Sequence, residues 1–170
     1  MRLEPLYTVR FRYPDGWGVA LTGANGTEEH DFYLAEGRCG GRLSGKFRAA
    51  NHPRRRTDES YEMEMQGFIE TDDGATVMVE FRGYGRSRSR SDERYAAAGL
   101  ASEATKSRRQ VVGFARHLAE APRYSWLNDS VCALVGEVRA PAGVPPADIQ
   151  QGDVQLVFAV SELVWEPLVE

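Results

Sequence analysis

The segment Tyr61–Tyr84, YEMEMQGFIETDDGATVMVEFRGY, decides the fold because it reads as one long β-hairpin. Alternating residues flank Asp73-Gly74. Asp-Gly is the dipeptide that a tight type I′ turn favours, since both central residues need a positive φ. A two-residue loop there fixes the pairing of the two strands. It sets three pairs opposite each other: Glu70 with Val77, Phe68 with Val79, and Gln66 with Phe81.

With this register, polar and apolar side chains mix on both faces of the hairpin. One face carries Glu62, Glu64, Gln66, Phe68, Val79 and Phe81. The other face carries Met63, Met65, Ile69, Met78, Glu80 and Arg82. A hairpin packed on one side against a core would separate the two kinds of residue cleanly. The pattern therefore predicts a sheet curled around a partly polar cavity.

The composition is that of a single globular domain over residues 1–170. Hydrophobic residues make up 42% and charged residues 27% of the chain, which is ordinary for a soluble protein. The formal net charge of −4 argues against a nucleic-acid partner, because such proteins usually carry a basic excess. No apolar run approaches the roughly 18 residues of a membrane-spanning helix, and the N-terminus lacks the apolar core of a signal peptide. We expect a cytoplasmic location and no membrane contact.

Extended segments dominate the remainder of the chain, and turn residues separate them. The residues Pro14-Asp15-Gly16 and the range 23–26 read as turns, and the proline-rich range 140–153 reads as a surface loop. Alternation or short apolar runs predict strands over 6–13, 30–35, 42–48, 130–138 and 154–164.

The range 86–109 reads as a long loop or lid, a kind of segment that is often functional. Its first part, 86–94 (RSRSRSDER), is of low complexity, and 95–106 is rich in helix formers. Propensity alone leaves open whether 110–121 continues this helix or forms a strand.

Four stretches resemble the family of small bacterial β-barrels known as DUF3237, or UPF0311. They are LEPLYT at 3–8, GRLSG at 41–45, ETDDGATVMVEFRG at 70–83 and RYSWLNDSVCALVGE at 123–137. The resemblance implies an all-β, mainly antiparallel, closed barrel of about eight or more strands with a central cavity. It also implies that 111–119 is a strand, which leaves one short helix near 95–106. The family has no general assigned activity.

The chain departs from the family pattern at several positions. Such proteins usually carry a Gly-Gly-Ala-Asp-Trp-like stretch where this chain has 49–53, AANHP. The hairpin has Glu64 where an Asp is common and Gln66 where an Arg is common. These departures predict a ligand that differs from those of relatives.

Two carboxylates on one strand are the first candidates for chemistry. Glu62 and Glu64 share a face, with Cβ atoms about 7 Å apart by strand geometry. Two such acids can hold unlike pKa values and act as acid and base. Glu64 is the predicted general base, with Glu62, Gln66 and Phe81 as ligand contacts. The alternative is a pair of solvated or arginine-paired carboxylates.

The block at 124–128, YSWLN, is the second candidate. If it is extended, Tyr124, Trp126 and Asn128 share one face, and two aromatic rings beside an amide suit a small-molecule pocket. Tyr124 would stabilise developing charge as a catalytic group, while Trp126 and Asn128 would bind the ligand. The alternative is a plug in which Trp126 is core and Asn128 caps backbone groups.

The remaining titratable residues indicate no metal and no cofactor. His30, His52 and His117 lack metal-ligand spacing, and Cys39 with Cys132 read as two free thiols. His52, followed by Pro53 and three arginines, could instead grip an anionic ligand at the cavity mouth. Its alternative is a solvated loop.

Two kinds of function fit these features. One is a cofactor-independent enzyme, an isomerase, cyclase or hydratase/lyase, that acts on a small, largely apolar metabolite by acid/base chemistry. The other is a non-catalytic carrier or sensing module, or a structural barrel with a filled interior. A homodimer stays open, because the apolar runs at 130–138 and 154–164 could serve an interface as well as a barrel wall.

Overall fold

A computed structural model describes residues 1–102, 108–141, 143–144 and 151–167. Nine strands dominate this part of the chain, with one α-helix and two short 3-10 helices at Pro122–Asp129 and Gln151–Asp153. The α-helix, α1, covers Arg88–Ala97. The strands are β1 (Arg2–Gly23), β2 (Gly26–Gly41), β3 (Gly45–Asn51), β4 (Arg54–Arg55), β5 (Tyr61–Thr71), β6 (Thr76–Gly85), β7 (Arg108–Ala119), β8 (Cys132–Arg139) and β9 (Gln155–Val164).

The strands form one antiparallel sheet that closes into a ring. Neighbours follow the order β1-β9-β8-β7-β6-β5-β3-β2, and β1 also pairs with β2. The short strand β4 bridges β2 and β5 at the rim. Over Tyr7–Phe11, β1 pairs with β9 on one side and β2 on the other, and this double pairing closes the ring. The expected mainly antiparallel, barrel-like architecture is confirmed, and 111–119 is a strand within β7 as the resemblance implied.

The expected register of the hairpin is wrong by one residue. Glu70 pairs with Thr76, and Glu64 pairs with Arg82. The loop is longer than two residues because the Thr71 hydroxyl organises it, donating to Asp73 Oδ1 at 2.6 Å and accepting from the Ala75 backbone N–H at 2.7 Å.

A one-residue slip moves every side chain of one strand to the other face. The faces therefore separate cleanly along most of the hairpin. The inner face carries Met63, Met65, Ile69, Val77, Val79 and Phe81, all buried. The outer face carries Glu62, Glu64, Gln66, Met78, Glu80 and Arg82.

The first hairpin is longer than the sequence predicts. Pro14-Asp15-Gly16 does not end β1, because the strand absorbs these residues as an irregularity in its pairing with β2 between Arg12 and Asp15. The strand then continues to the turn at 24–25. As a result, β1 and β2 extend together past the end of β3 as a projecting arm, with Asp31 and Tyr33 at its base.

The α-helix begins earlier than the composition predicts. It covers Arg88–Ala97, so the range 86–94 is largely helical and only 95–97 of the expected helix belongs to it. Ser87 starts the helix by accepting a hydrogen bond from the Arg90 backbone N–H. Gly99, with φ of 69°, follows its C-terminus in the left-handed conformation that glycine favours. Residues 103–107 of the expected lid, and half of the expected loop at 140–153, lie outside the described residues.

Four phenylalanines fill the middle of the ring. Phe11 contacts Phe47 and Phe158 with ring centroids 5.3 and 5.0 Å apart, and Phe81 contacts the same two rings at 5.9 and 6.1 Å. All four are buried. This aromatic layer divides the interior into two ends, which differ in packing and in polarity.

Candidate functional site

One end of the ring, which we call the cavity end, holds a cavity of about 330 Å³. Cavities of about 300 Å³ and more take small organic ligands. Phe158 of the aromatic layer forms part of its floor. The other apolar walls come from five strands or their flanks: Pro53, Met63, Val111, Val138, Val154 and Leu156. The polar lining is Tyr13, Tyr33, Asn51, Tyr61, Arg86 and Arg109.

The end of β3 brings Asn51 against Tyr13 of β1. Asn51 is 3% exposed, and its Nδ2 donates to Tyr13 Oη at 2.6 Å. Its Oδ1 is buried with no hydrogen-bond partner. A tyrosine hydroxyl can donate or accept, so either orientation of the amide leaves one polar atom unpaired. Asn51 therefore contributes an amide to the cavity lining that its protein neighbours satisfy only in part.

Tyr33 and Asp31 form a second polar pair at the base of the arm. The Tyr33 ring stacks on Tyr13 with centroids 4.6 Å apart, and its hydroxyl lies close enough to the Asp31 carboxylate for each group to shift the pKa of the other. Gly18 makes room for this carboxylate, because a Cβ there would collide with Asp31 Oδ1. The glycine therefore allows the Asp31 carboxylate to lie against β1.

Burial shifts the proton equilibria of these groups. Removal from water raises the pKa of Tyr13 and of Tyr33 well above the usual tyrosine range, and the Asp31 carboxylate raises that of Tyr33 further. Burial likewise raises the pKa of Asp31, which the neighbouring Tyr33 hydroxyl partly offsets. Both phenols therefore hold their protons at neutral pH, and Asp31 is a stronger proton acceptor than a surface aspartate.

Two arginines complete the polar lining. Arg86 follows β6, and its buried Nε has no hydrogen-bond partner. The Arg109 guanidinium lies 5.5 Å from the centre of the Tyr61 ring. This part of the cavity is therefore positively charged.

The opposite end of the ring, which we call the packed end, carries a buried cluster. Tyr7 Oη and His117 Nε2 share a hydrogen bond of 2.7 Å, and Cys132 Sγ lies 3.9 Å from His117 Nδ1. Burial lowers the pKa of His117 to about 4. Cys39 and Cys132 are both free and buried, which confirms the expected pair of free thiols. The 3-10 helix at Pro122–Asp129 packs Leu127 into the core at this end.

The structure places the predicted hairpin site residues outside the cavity. Glu64 lies on the outer face, where it pairs with Arg82 at 2.8 Å, and its side chain is 49% exposed. Glu62 pairs with Arg54 at 2.8 Å, and Gln66 is exposed. The expectation that these residues share a face with Phe81 is wrong because of the register slip. Their surroundings match the alternative of arginine-paired surface carboxylates.

Two further predicted ligand contacts also lie away from the cavity lining. Phe81 is fully buried within the aromatic layer. It contacts Phe158, which lines the cavity, but it is not itself part of the lining. His52 lies in a groove on the outer surface, with its ring 4.8 Å from that of Phe32. Its neighbour Asn51, on the opposite face of the chain, is the residue that lines the cavity.

The YSWLN block is a 3-10 helix and not a strand, so its side chains do not share one face. Tyr124 donates to Asp73 Oδ2 at 3.0 Å in the hairpin loop. Trp126 packs under the Arg42 guanidinium at 4.4 Å. Asn128 bonds both the N–H and the C=O of Ala119. The block caps the packed end, and this arrangement corresponds to the plug alternative.

Sequence reasoning missed Tyr13, Tyr33, Asn51, Arg86 and Arg109. A signal for the correct register was present in the sequence. When the pairing is shifted by one residue, so that Glu70 lies opposite Thr76, the inner face of β5 and β6 is apolar throughout. Extending the alternation of inward and outward side chains along β1, β2 and β3 would then have placed Tyr13, Tyr33 and Asn51 inside the ring. No comparable pattern marks the two arginines, since they lie near strand ends in a chain rich in arginine.

The described residues carry information on metal sites and on membrane-spanning helices. Within them, no three of the residues His, Cys, Asp and Glu are grouped so that they could hold a metal ion. Neither α1 nor the 3-10 helices are long and apolar enough to cross a membrane.

Comparisons with known proteins bear on fold and family. The sequence profile of the family described as "Protein of unknown function (DUF3237)" matches residues 1–149. No curated protein matches the chain.

Solved structures of similar fold cover nearly the whole chain. A β-barrel-like protein from Acinetobacter baumannii AYE is 19% identical with a TM-score of 0.66, over 95% of this chain and 96% of that one. A conserved protein of unknown function from Rhodopseudomonas palustris is 22% identical with a TM-score of 0.64, over 96% and 97%. An enzyme from Penicillium herquei is 13% identical with a TM-score of 0.51, over 94% and 93%. At these identities the likeness shows the fold alone.

Proposed function

Since the chain belongs to the DUF3237 family, which is described as of unknown function, we propose from the cavity itself that the protein binds a small, largely apolar organic molecule and rearranges it by acid/base chemistry without a cofactor. Isomerisation, cyclisation and addition or elimination of water belong to this class. The observation that carries the proposal is a mostly apolar cavity of about 330 Å³ whose wall also contains the polar side chains of Tyr13, Tyr33 and Asn51. Such a combination is typical of sites that bind small organic molecules.

Tyr33 and Asp31 are the proposed proton-transfer pair. Tyr33 Oη would take a proton from the substrate as its own proton passes to Asp31. Returning the proton to a different atom of the substrate completes an isomerisation with no net change in protons. The raised pKa of Asp31 favours the first transfer, because a carboxylate accepts a proton more readily when its pKa lies closer to the working pH. Tyr13 and Asn51 would hold an oxygen of the substrate by hydrogen bonds.

The first step of the test is to identify a ligand. Native mass spectrometry of gently purified protein, with extraction of small molecules, would reveal a compound bound at one per chain. That compound is then incubated with the wild type, Tyr33→Phe and Asp31→Asn. Tyr84→Phe and Asp129→Asn are matched controls, because both residues are exposed and lie outside the cavity lining.

Each outcome has a separate meaning. The proposal predicts that Tyr33→Phe and Asp31→Asn bind the compound but lose about 10²-fold or more in turnover, whereas the controls keep both. Unchanged turnover in Tyr33→Phe and Asp31→Asn would remove the proton-transfer role. Binding without turnover by the wild type would make the protein a carrier. The absence of any bound compound, together with no affinity for small organic molecules, would contradict the cavity as a ligand site.

A further inference from the structure

The two arginines of the cavity differ from the others in the molecule. Arg54, Arg55, Arg108 and Arg139 are also half-buried, and each forms an ion pair. Arg86 and Arg109 are half-buried, yet neither is ion-paired within the described part of the chain. Burying part of a guanidinium without a counter-charge is unfavourable.

Nearby carboxylates are already engaged with other groups. Glu29 pairs with Arg55, and Glu62 pairs with Arg54. Glu137 accepts hydrogen bonds from Tyr95, Arg108 and Arg139. Asp31 lies beside the Tyr33 hydroxyl, whose pKa it raises. None of these four acids therefore provides a counter-charge for Arg86 or Arg109.

The chemistry of the guanidinium indicates which counter-charge fits. It offers five N–H donors in a fixed plane. A carboxylate matches this plane with two oxygens and can accept from two of the nitrogens together. Arg109 adds a second positive charge beside the Tyr61 ring.

We infer that the molecule bound in this cavity is an organic carboxylate, with its anionic group held by Arg86 and Arg109 and its apolar body against the aliphatic wall. The inference rests on the proposed function and names the ligand class of the same cavity. The hydrophobic wall formed by Met63, Val111, Val138 and Leu156 favours an aromatic or alicyclic acid over a strongly polar one. The Asn51 amide would pair with a hydroxyl or carbonyl elsewhere on the molecule.

Matched acids and esters test this inference. The probes are benzoate, 4-hydroxybenzoate, 4-hydroxycinnamate and 1-naphthoate, each beside its uncharged methyl ester, with affinity measured by calorimetry. The proteins are the wild type, Arg86→Gln, Arg109→Gln and the double variant. Arg10→Gln is the control, because Arg10 is exposed, lies outside the cavity lining and loses the same charge. Far-ultraviolet circular dichroism checks that each variant is folded.

The expected result is a preference of about tenfold or more for acids over their esters in the wild type and in Arg10→Gln. The preference falls in each single cavity variant and disappears in the double variant, while ester affinity stays unchanged. Equal affinity for acid and ester in the wild type would overturn the inference and leave the ligand-binding cavity standing. A preference that persists in the double variant would also overturn it. Failure of every acid and every ester to bind the wild type would overturn both the inference and the proposed function.

Discussion

At the packed end of the ring, the buried hydroxyl of Tyr7 meets His117, and Leu127 fills the space beside them. At the cavity end, the buried hydroxyl of Tyr13 meets Asn51, and beyond them the interior is open. The histidine at the packed end has neighbours at both ring nitrogens. The amide at the cavity end keeps one atom unpaired.

On this difference we treat the Tyr7–His117 cluster as structural and the Tyr13–Asn51 cluster as part of the proposed site. Both clusters join a tyrosine to a second polar residue deep in the same sheet, so residue type alone does not tell them apart. Polar groups packed against each other contribute to stability, whereas polar residues that line a cavity are available to a ligand. The assignment of function to the cavity end rests on this contrast, and the following changes test it.

Removing Phe81 should have the largest effect, because its ring belongs to the layer that separates the two ends. Phe81→Ala leaves a void between Phe47 and Phe158 and should lower the free energy of unfolding by about 3–5 kcal/mol. Urea denaturation measures the change. Phe114→Ala is the matched control, since Phe114 is 45% exposed and should change stability by about 0.5 kcal/mol. Similar losses in both variants would contradict the dividing layer.

Acid should weaken the packed end through His117. Burial holds its pKa at about 4 in the folded state, against about 6.5 in the unfolded chain. Between these values the unfolded chain binds the proton and the folded protein does not. Stability from the neutral ring is therefore complete above about pH 6.5 and is lost towards pH 4, by about 3 kcal/mol.

Urea denaturation between pH 7 and pH 4.5 measures this pH dependence, with His117→Leu as the comparison. The wild type should lose stability more steeply over this range than the variant, which has no imidazole to protonate. Parallel curves for the two proteins would show that His117 does not carry the effect.

Replacing each polar partner by leucine compares the two ends directly. His117→Leu leaves the buried Tyr7 hydroxyl unpaired and should cost about 1–3 kcal/mol at pH 7. Asn51→Leu also removes a hydrogen bond, but it takes away an unpaired atom as well, so its cost should be about 0–1 kcal/mol. The unfolding midpoints of the two variants measure this difference, and that of His117→Leu should be the lower. A larger loss of stability in Asn51→Leu would contradict the assignment of the structural cluster to the packed end.

Glu64→Gln should have the smallest effect. Its ion pair with Arg82 is on the outer surface, and exposed pairs contribute about 0–1 kcal/mol. Affinity for a cavity ligand should be unchanged, as measured by calorimetry with 4-hydroxybenzoate. A marked loss of affinity would restore the role that the sequence predicted for this carboxylate.

The fold was largely predictable from sequence because its determinants are local or belong to the family pattern. Alternation in the hairpin, turn residues at 23–26 and the apolar runs of β8 and β9 each indicate extended structure. Resemblance to DUF3237 resolved the ambiguous range 111–119, where propensity left helix and strand equally open.

The site was not predictable, and the reason is physical. The Asp-Gly dipeptide suggested a two-residue turn, but hydrogen bonds from the Thr71 side chain stabilise a longer loop. Side chains of a strand alternate between its two faces, so an error of one residue in the pairing assigned the side chains of β5 to the wrong face relative to β6. Glu64 was thus assigned to a cavity that it does not face. Asn51, by contrast, owes its role to Tyr13, which is 38 residues distant in the chain.

The most direct test of the central claim is an NMR titration of the ¹⁵N-labelled protein with 4-hydroxybenzoate. The Asn51 side-chain amide has its own signals and reports on the cavity wall. The account predicts saturable shifts of these signals and of the backbone amides of Tyr33, Val111 and Leu156, with no change at His117 or Leu127. Shifts confined to the packed end or to the outer groove around His52, or no shift at saturating probe, would contradict it.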